Sequence, residues 1–233
     1  MFSASGRRRE RCASPEAMDA PFDLDTVDHL LSTTRAVRKR LDFDTEVPDD
    51  VLLDCIRLSQ QAPTGSNMQN WRWLIVRDAD TRKGLAELYR AAGGAYLAAA
   101  AETATDGQVK RVMSSANYLA EHLEEVPVHV IPCAKGRLTS DNSVGDWSGM
   151  LGSIYPAIWS FQLALRSRGL GSCLTTLHLG KEAEAAELLG IPEGVMQIAL
   201  LPVAYTKGTD FKPAERPPVE RIVHVDRWGN KPG

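Results

Sequence analysis

The sequence predicts a domain of mixed helix and strand, and three observations carry that prediction. Three apolar runs of strand character, at 71–76, 128–133 and 195–205, are separated by segments with helical spacing. The segment 154–165 is apolar around most of a helix circumference, through Ile154, Tyr155, Ala157, Ile158, Trp159, Phe161, Leu163, Ala164 and Leu165, so it must be buried on nearly all sides, in a core or a subunit interface. With 233 residues, 43% of them hydrophobic and 24% charged, the chain suffices for one large domain or two small ones whose core needs neither disulfides nor metal.

A short helix from about 25 to 34 is capped by Asp23 or Asp25 and packs Val27, Leu30 and Leu31. It delivers a basic cluster in which Arg35 and Arg38, three apart, share a face if the turn stays helical. The cluster reads as cations at a helix C-terminus or as an anion site, since forked guanidinium donors grip phosphate. Pro48, Asp49 and Asp50 start a second helix whose Leu52, Cys55, Ile56 and Ser59 form one face. Pro63, Thr64, Gly65, Ser66, Asn67, Gln69 and Asn70 then make a polar loop at the mouth of the buried strand 71–76, a place to hold a polar, planar ligand.

A third helix over about 80–92 meets Gly93-Gly94, which reads as its break, and 91–115 reads as a flexible lid or binding loop. A helix near 114–124 ends before Pro127, and 135–149 is again loop-like. After the apolar helix, Gly169 and Gly171 mark a tight turn or a close approach of backbone to a ligand. The stretch is not a dinucleotide fingerprint, because the third glycine is missing and the order is helix to strand. A short helix at 182–189 stops at Gly190, and Pro202 inside the strand 195–205 implies an edge or a bulge. The last thirty residues, with Pro213, Pro217, Pro218, Ile222, Val223 and Val225, hold too little apolar surface for a unit of their own and are expected to cross another part of the protein or another subunit.

A net charge of −3 argues against a dedicated nucleic-acid binder. Cys12, Cys55, Cys133 and Cys173 lie far apart, indicate neither zinc nor a disulfide framework, and suit a reducing cytoplasm. No apolar run reaches membrane-spanning length, and no apolar stretch follows Arg7, Arg8, Arg9 and Arg11 to make a secretory signal, so residues 1–22 read as a disordered arm. The five histidines are scattered singly, with His178 the one to watch, and no nucleophile, base and acid set is visible. Hard chemistry therefore falls to an organic cofactor.

The residues RAVR at 35–38, the run 47–78, GLGSCLTT at 169–176, IPEGVMQIALLPVAY at 191–205 and RPPVERIVHVDRWG at 216–229 occur in the order of the FMN-dependent nitroreductase family, which the chain resembles over about 25–229. The resemblance implies an α+β fold, a three-layer α/β/α sandwich with a mainly antiparallel central sheet, in an interlocked homodimer. It divides the chain into an FMN-binding domain at 23–210, with 91–115 and 135–149 as lid loops, and an arm at 211–233 that crosses to the partner. Arg35, Ala36 and Arg38 match the FMN-contacting basic motif, and Arg216 a basic position near the phosphate. Pro63, Thr64, Gly65, Ser66 and Asn67 match the loop lining the flavin, commonly from the other subunit, and Thr176 and Leu177 the segment whose backbone faces flavin N5. Thr34 and Ala36 depart from the family pattern, which often has a basic residue and a serine there, so the phosphate grip is expected to pass in part to Lys39 or Lys212.

The activity implied is ping-pong hydride transfer from NADPH or NADH through flavin N5 to a nitroaromatic or quinone, a small aromatic acceptor. No side chain is catalytic in the acid–base sense, and no nucleic acid or membrane takes part. The spare cations Arg7 to Arg11 and Arg137 favour NADPH. Dehalogenation, enone reduction and FMN sequestration without efficient NAD(P)H turnover are the alternatives on the same fold.

Overall fold

The computed structural model describes residues 21–232, so most of the N-terminal arm, with Arg7 to Arg11 and Cys12, lies outside the described residues. The elements run α1 (Leu24–Thr33), α2 (Asp49–Ser59), β1 (Trp71–Val76), α3 (Ala79–Thr103), α4 (Gly107–His122), β2 (Val128–Lys135), α5 (Val144–Ser167), β3 (Leu170–Ser172), α6 (Glu182–Leu189), β4 (Val195–Gln197) and β5 (Leu201–Tyr205). The strands form one sheet in the order β1-β2-β5-β3, with β4 paired to β2, and every ladder is antiparallel.

The period-two alternation of β2 builds the layers. Val128, Val130 and Ala134 join Leu52, Cys55, Ile56, Ile154, Ile158, Phe161 and Leu165 in the core under α2 and α5. Ile131 and Cys133 point the other way, into the core with Leu85, Tyr89, Leu97, Leu119 and Leu123 under α3 and α4. Helices thus cover both faces of an antiparallel sheet, the three-layer α+β arrangement expected from the sequence. The predicted buried face of α2, Leu52, Cys55, Ile56 and Ser59, is buried throughout.

Three expectations are corrected. The segment 91–115 is not an irregular loop: α3 runs through Gly93-Gly94 to Thr103, and α4 starts four residues later. The glycines are contact points rather than a break. A Cβ on Gly93 would come within 2.4 Å of Leu177 Cδ1, and one on Gly180 within 3.2 Å of Ala92 Cβ, so the 177–180 segment lies against the helix only because side chains are missing there. The segment 135–149 is also shorter as a loop than expected. Strand β2 reaches Lys135, and α5 begins at Val144 behind a capping box in which Ser143 and Asp146 satisfy each other's backbone N–H groups.

Pro202 lies in an inner strand rather than at an edge. Leu170 pairs with Tyr205 and Ser172 with Val203, and the bridge from Thr175 to Leu200 resumes the same register, which sets Cys173 opposite Pro202. The ladder is interrupted at the one position that lacks a donor.

His129 and His178 are fully buried. His129 Nε2 lies 2.8 Å from the Leu123 carbonyl, while its Nδ1 and both ring nitrogens of His178 have no partner among the described residues. Burial pushes each imidazole down to about 4, so both are neutral in the fold. His178 lines neither of the two cavities described below and reads as a core residue.

Two predictions follow from this packing. Gly93→Val should lower stability by about 1–3 kcal/mol through overpacking against Leu177. Gly94→Ala, where a Cβ meets only Arg90 Cβ at 3.4 Å, should be neutral or stabilising by up to about 1 kcal/mol, as read from urea midpoints. Below the ordinary histidine value near 6.5 the unfolded chain takes up protons that buried His129 and His178 refuse. Their contribution should therefore be intact above that pH and fade as pH falls toward about 4, by roughly 3 kcal/mol for each histidine, and His178→Gln should flatten the slope in that window.

Candidate functional site

Helix α1 ends at Thr33, where the Thr34 hydroxyl caps the Leu30 carbonyl at 2.6 Å and the chain turns extended. Arg35 and Arg38 therefore do not share a helical face as the spacing suggested. Ala36 instead forms a parallel bridge with Ser172, and Val37 N–H donates to the Ser172 carbonyl at 2.9 Å. The basic motif is stitched to the outer edge of β3, and both arginines still reach one cavity.

That cavity, of about 690 Å3, is lined by Thr34, Arg35, Ala36 and Arg38, by Gln108, Arg111, Val112 and Ser115 of α4, and by Trp159 and residues 213–216. Four guanidinium groups, of Arg35, Arg38, Arg111 and Arg216, converge on it. Arg35 donates to the Lys212 carbonyl at 2.8 Å, Arg38 to Ser115 Oγ at 3.3 Å and Arg216 to the Glu215 carbonyl at 3.1 Å. Among the described residues none of the four has a carboxylate partner, whereas Arg40, Arg77 and Arg90 pair with Asp210, Asp49 and Glu124 at 2.6–2.8 Å. Unneutralised guanidiniums lining one cavity can take an anion.

Arg38 also lines a second cavity, of about 440 Å3, with Tyr89, Ala92, Leu97, Ala116 and the segment Leu174, Thr175, Thr176 and Leu177. That segment is held from three directions. Thr175 exchanges backbone hydrogen bonds with Leu200 at 3.0 and 2.8 Å, its Oγ1 lies 2.9 Å from Tyr89 Oη, and Leu177 fills the notch at Gly93. Burial raises the Tyr89 phenol above its ordinary value and pushes the Cys173 thiol up to about 11 in spite of Arg38 beside it, so neither group is an ionised nucleophile.

The loop Pro63, Thr64, Gly65, Ser66 and Asn67 lines neither of these cavities. Gly65 N–H donates to Ser153 Oγ at 2.9 Å, which places the loop beside α5. Ser66, Asn67 and Gln69 all have φ between 46° and 55°, a conformation that side chains rarely adopt and that collects in segments shaped to meet a ligand. Of the predicted site residues, the fold thus brings together Arg35, Ala36, Arg38 and Arg216, sets Thr176 and Leu177 in the adjoining cavity, and leaves 63–67 apart within one chain.

Sequence reasoning missed the α4 wall. Gln108, Arg111, Val112 and Ser115 recur at three and four, the spacing of one helical face, within a segment read as a loop. Neither Lys39 nor Lys212, the expected extra cations, is among the residues lining this cavity: Lys39 Nζ donates to Ser114 Oγ at 3.0 Å, and the Lys212 carbonyl accepts from Arg35. Arg137 is not spare either, because its guanidinium is paired with the Glu182 carboxylate.

Comparison with known proteins places this geometry. The model of the Nitroreductase family matches residues 31–205. A protein of Archaeoglobus fulgidus provisionally named NADH dehydrogenase/NAD(P)H nitroreductase is 24% identical over 205 residues, covering 85% of this chain and 97% of its own. The crystal structure of oxidised iodotyrosine deiodinase bound to FMN and 3-iodo-L-tyrosine superposes with a TM-score of 0.66 at 23% identity, over 87% of this chain and 100% of the other. That of an FMN- and NADPH-dependent nitroreductase from a Sphigopyxis strain gives a TM-score of 0.63 at 17% identity, over 86% and 99%. With three-quarters of its length matched to that family's pattern, on the fold its solved relatives share, the chain belongs to the nitroreductase family.

Proposed function

We propose that the chain is an FMN-dependent NAD(P)H oxidoreductase that reduces nitroaromatic or quinone acceptors by a ping-pong route. The observation that carries this reading is the pair of cavities joined at Arg38, one ringed by unneutralised guanidiniums and the other floored by backbone from Leu174 to Leu177. A flavin mononucleotide has those two ends, a phosphate and a planar polar ring. When bound, FMN supplies two-electron exchange between donor and acceptor at its N5. The chain's residues supply the rest: Arg35 and Arg216 hold the phosphate, Arg38 sets a positive charge where the cavities meet, and the clamped segment at Thr176 and Leu177 presents backbone to the ring edge.

The site is proposed to be completed by a second copy of the chain. Helix α5 exposes Val144, Trp147, Tyr155 and Trp159 along one stripe which, with the half-buried Leu151, forms an apolar groove of about 780 Å3. The same helix buries Ile154, Ile158, Phe161 and Leu165 on its other side, so one chain covers only half of a helix that is apolar nearly all round. Trp159 lines both this groove and the anion cavity, and the 63–67 loop sits beside the same helix. Pairing along α5 would bring the partner's loop to the flavin, with the 211–233 segment, which exposes Val219, Ile222 and Trp228, as the crossing arm.

Reductive dehalogenation is the second reading, favoured by the fold likeness to iodotyrosine deiodinase. The purified protein should show an oxidised-flavin spectrum that bleaches on anaerobic addition of NADPH or NADH and returns with a nitroaromatic or a quinone. Return with an iodophenol alone would select the second reading, and a bound flavin that no nicotinamide bleaches would sink the first, pointing to sequestration or to another reductant. Arg38→Gln should weaken FMN binding by about tenfold or more. In solution the protein should sediment at twice its monomer mass, and Trp159→Glu should shift it toward the monomer.

A further inference from the structure

We infer that Arg111 of α4 is a specificity residue that binds the anionic group of the molecule exchanging electrons with the bound flavin, a phosphate or a carboxylate. This inference rests on the flavin-reductase reading and concerns a residue that the basic motif does not include.

The argument begins with charge. A phosphate monoester carries between one and two negative charges near neutrality, and Arg35, Arg38 and Arg216 already supply three positive ones. A fourth guanidinium adds repulsion that the single lining carboxylate, Glu215, does not relieve by any ion pair among the described residues. A second anion would relieve it.

Position then assigns the role to Arg111. Arg35 and Arg38 lie on the stretch stitched to β3, and Arg216 lies four residues beyond Lys212, whose carbonyl Arg35 grips, so these three belong to segments already tied together. Arg111 comes from a different element, with Gln108 on an α4 face tied to that stretch by Ser114 to Lys39 and by Ser115 to Arg38. Arg111 makes no hydrogen bond or ion pair among the described residues and is solvent-exposed where it lines the cavity, open to an incoming reactant. A guanidinium there, with Gln108 one turn before it, can take a phosphate or carboxylate through two parallel N–H donors without displacing the cofactor's own grip.

Two sources fit this chemistry, the 2′-phosphate of NADPH and an acidic group on the acceptor, and they separate experimentally. Arg111→Gln and Arg111→Lys would be compared with the unsubstituted holoprotein in four measurements. These are the FMN dissociation constant, the KM values for NADPH and NADH, the KM values for 4-nitrobenzoate and 4-nitrobenzamide, and direct binding of adenosine 2′,5′-bisphosphate against 5′-AMP. The inference expects Arg111→Gln to weaken either NADPH and the 2′,5′-bisphosphate, or 4-nitrobenzoate, by about tenfold or more. The matched ligands NADH, 5′-AMP or 4-nitrobenzamide and the FMN constant should stay unchanged, with partial recovery in Arg111→Lys. Weakened FMN would overturn it, placing Arg111 in the phosphate grip. Equal loss for charged and uncharged ligands, or no change in any, would overturn it as well. If Arg111→Gln does not fold, Arg111→Lys alone must still show the charged-ligand loss. An unsubstituted protein without flavin contradicts the underlying reading instead, and its spectrum reveals that before any variant is made.

Discussion

The ladder between 170–175 and 200–205 is the constraint on which the rest of the structure depends. Its inner side is the sheet, where β5 pairs with β2 and divides the two cores. Its outer side takes the chain after α1 through the bridge from Ala36 to Ser172, and the chain then crosses to the other edge of β5, where Asp42 N–H donates to the Tyr205 carbonyl at 2.8 Å. Its far end, past the gap opposite Pro202, leads into Thr176 and Leu177. The cations and the backbone segment that would meet opposite ends of one cofactor therefore hang from a single strand. Gly171 is where this closeness is set, since a Cβ there would fall 2.6 Å from Thr206 Cγ2 and 3.0 Å from Val37.

The second constraint is that α5 has two apolar faces and one chain covers only one of them. A helix of this kind in a lone subunit leaves a large patch to water, and association relieves it without changing the fold. Because Trp159 belongs both to that patch and to the anion cavity, assembly and cofactor binding are expected to be coupled. On the proposed pairing, the strained loop at Ser66 and Asn67, which does not line the arginine cavity of its own chain, would be a part presented to another copy.

Much of this was legible in the sequence where a residue type has one dominant physical meaning. The continuous apolar run of β2, the amphipathic spacing of α2 and the all-round apolar α5 were legible as such, and Arg35, Arg38 and Arg216 from charge with family resemblance. The failures came where one residue type serves two purposes. Gly93-Gly94 looks like a helix break, yet it is a notch for Leu177, and only tertiary packing distinguishes the two. Pro202 looks like an edge marker, yet its missing N–H faces the gap at Cys173. Having lost the first two turns of α4 to the first ambiguity, sequence reasoning could not place Arg111, although its spacing with Gln108 and Ser115 was the signal that would have found it. Arg137 shows the reverse error, since its pairing with Glu182 across 45 residues leaves no local trace.

The central claim is that guanidiniums hung on β3 hold a phosphate at one end of a flavin. Titration of the flavin-free protein with FMN and with riboflavin, followed by quenching of flavin fluorescence, tests it most directly, because the two ligands share the ring and differ in the phosphate. The account predicts that FMN binds at least ~100-fold more tightly than riboflavin, as expected for several charge-assisted hydrogen bonds to one group. Equal affinities, or binding of neither, would contradict it.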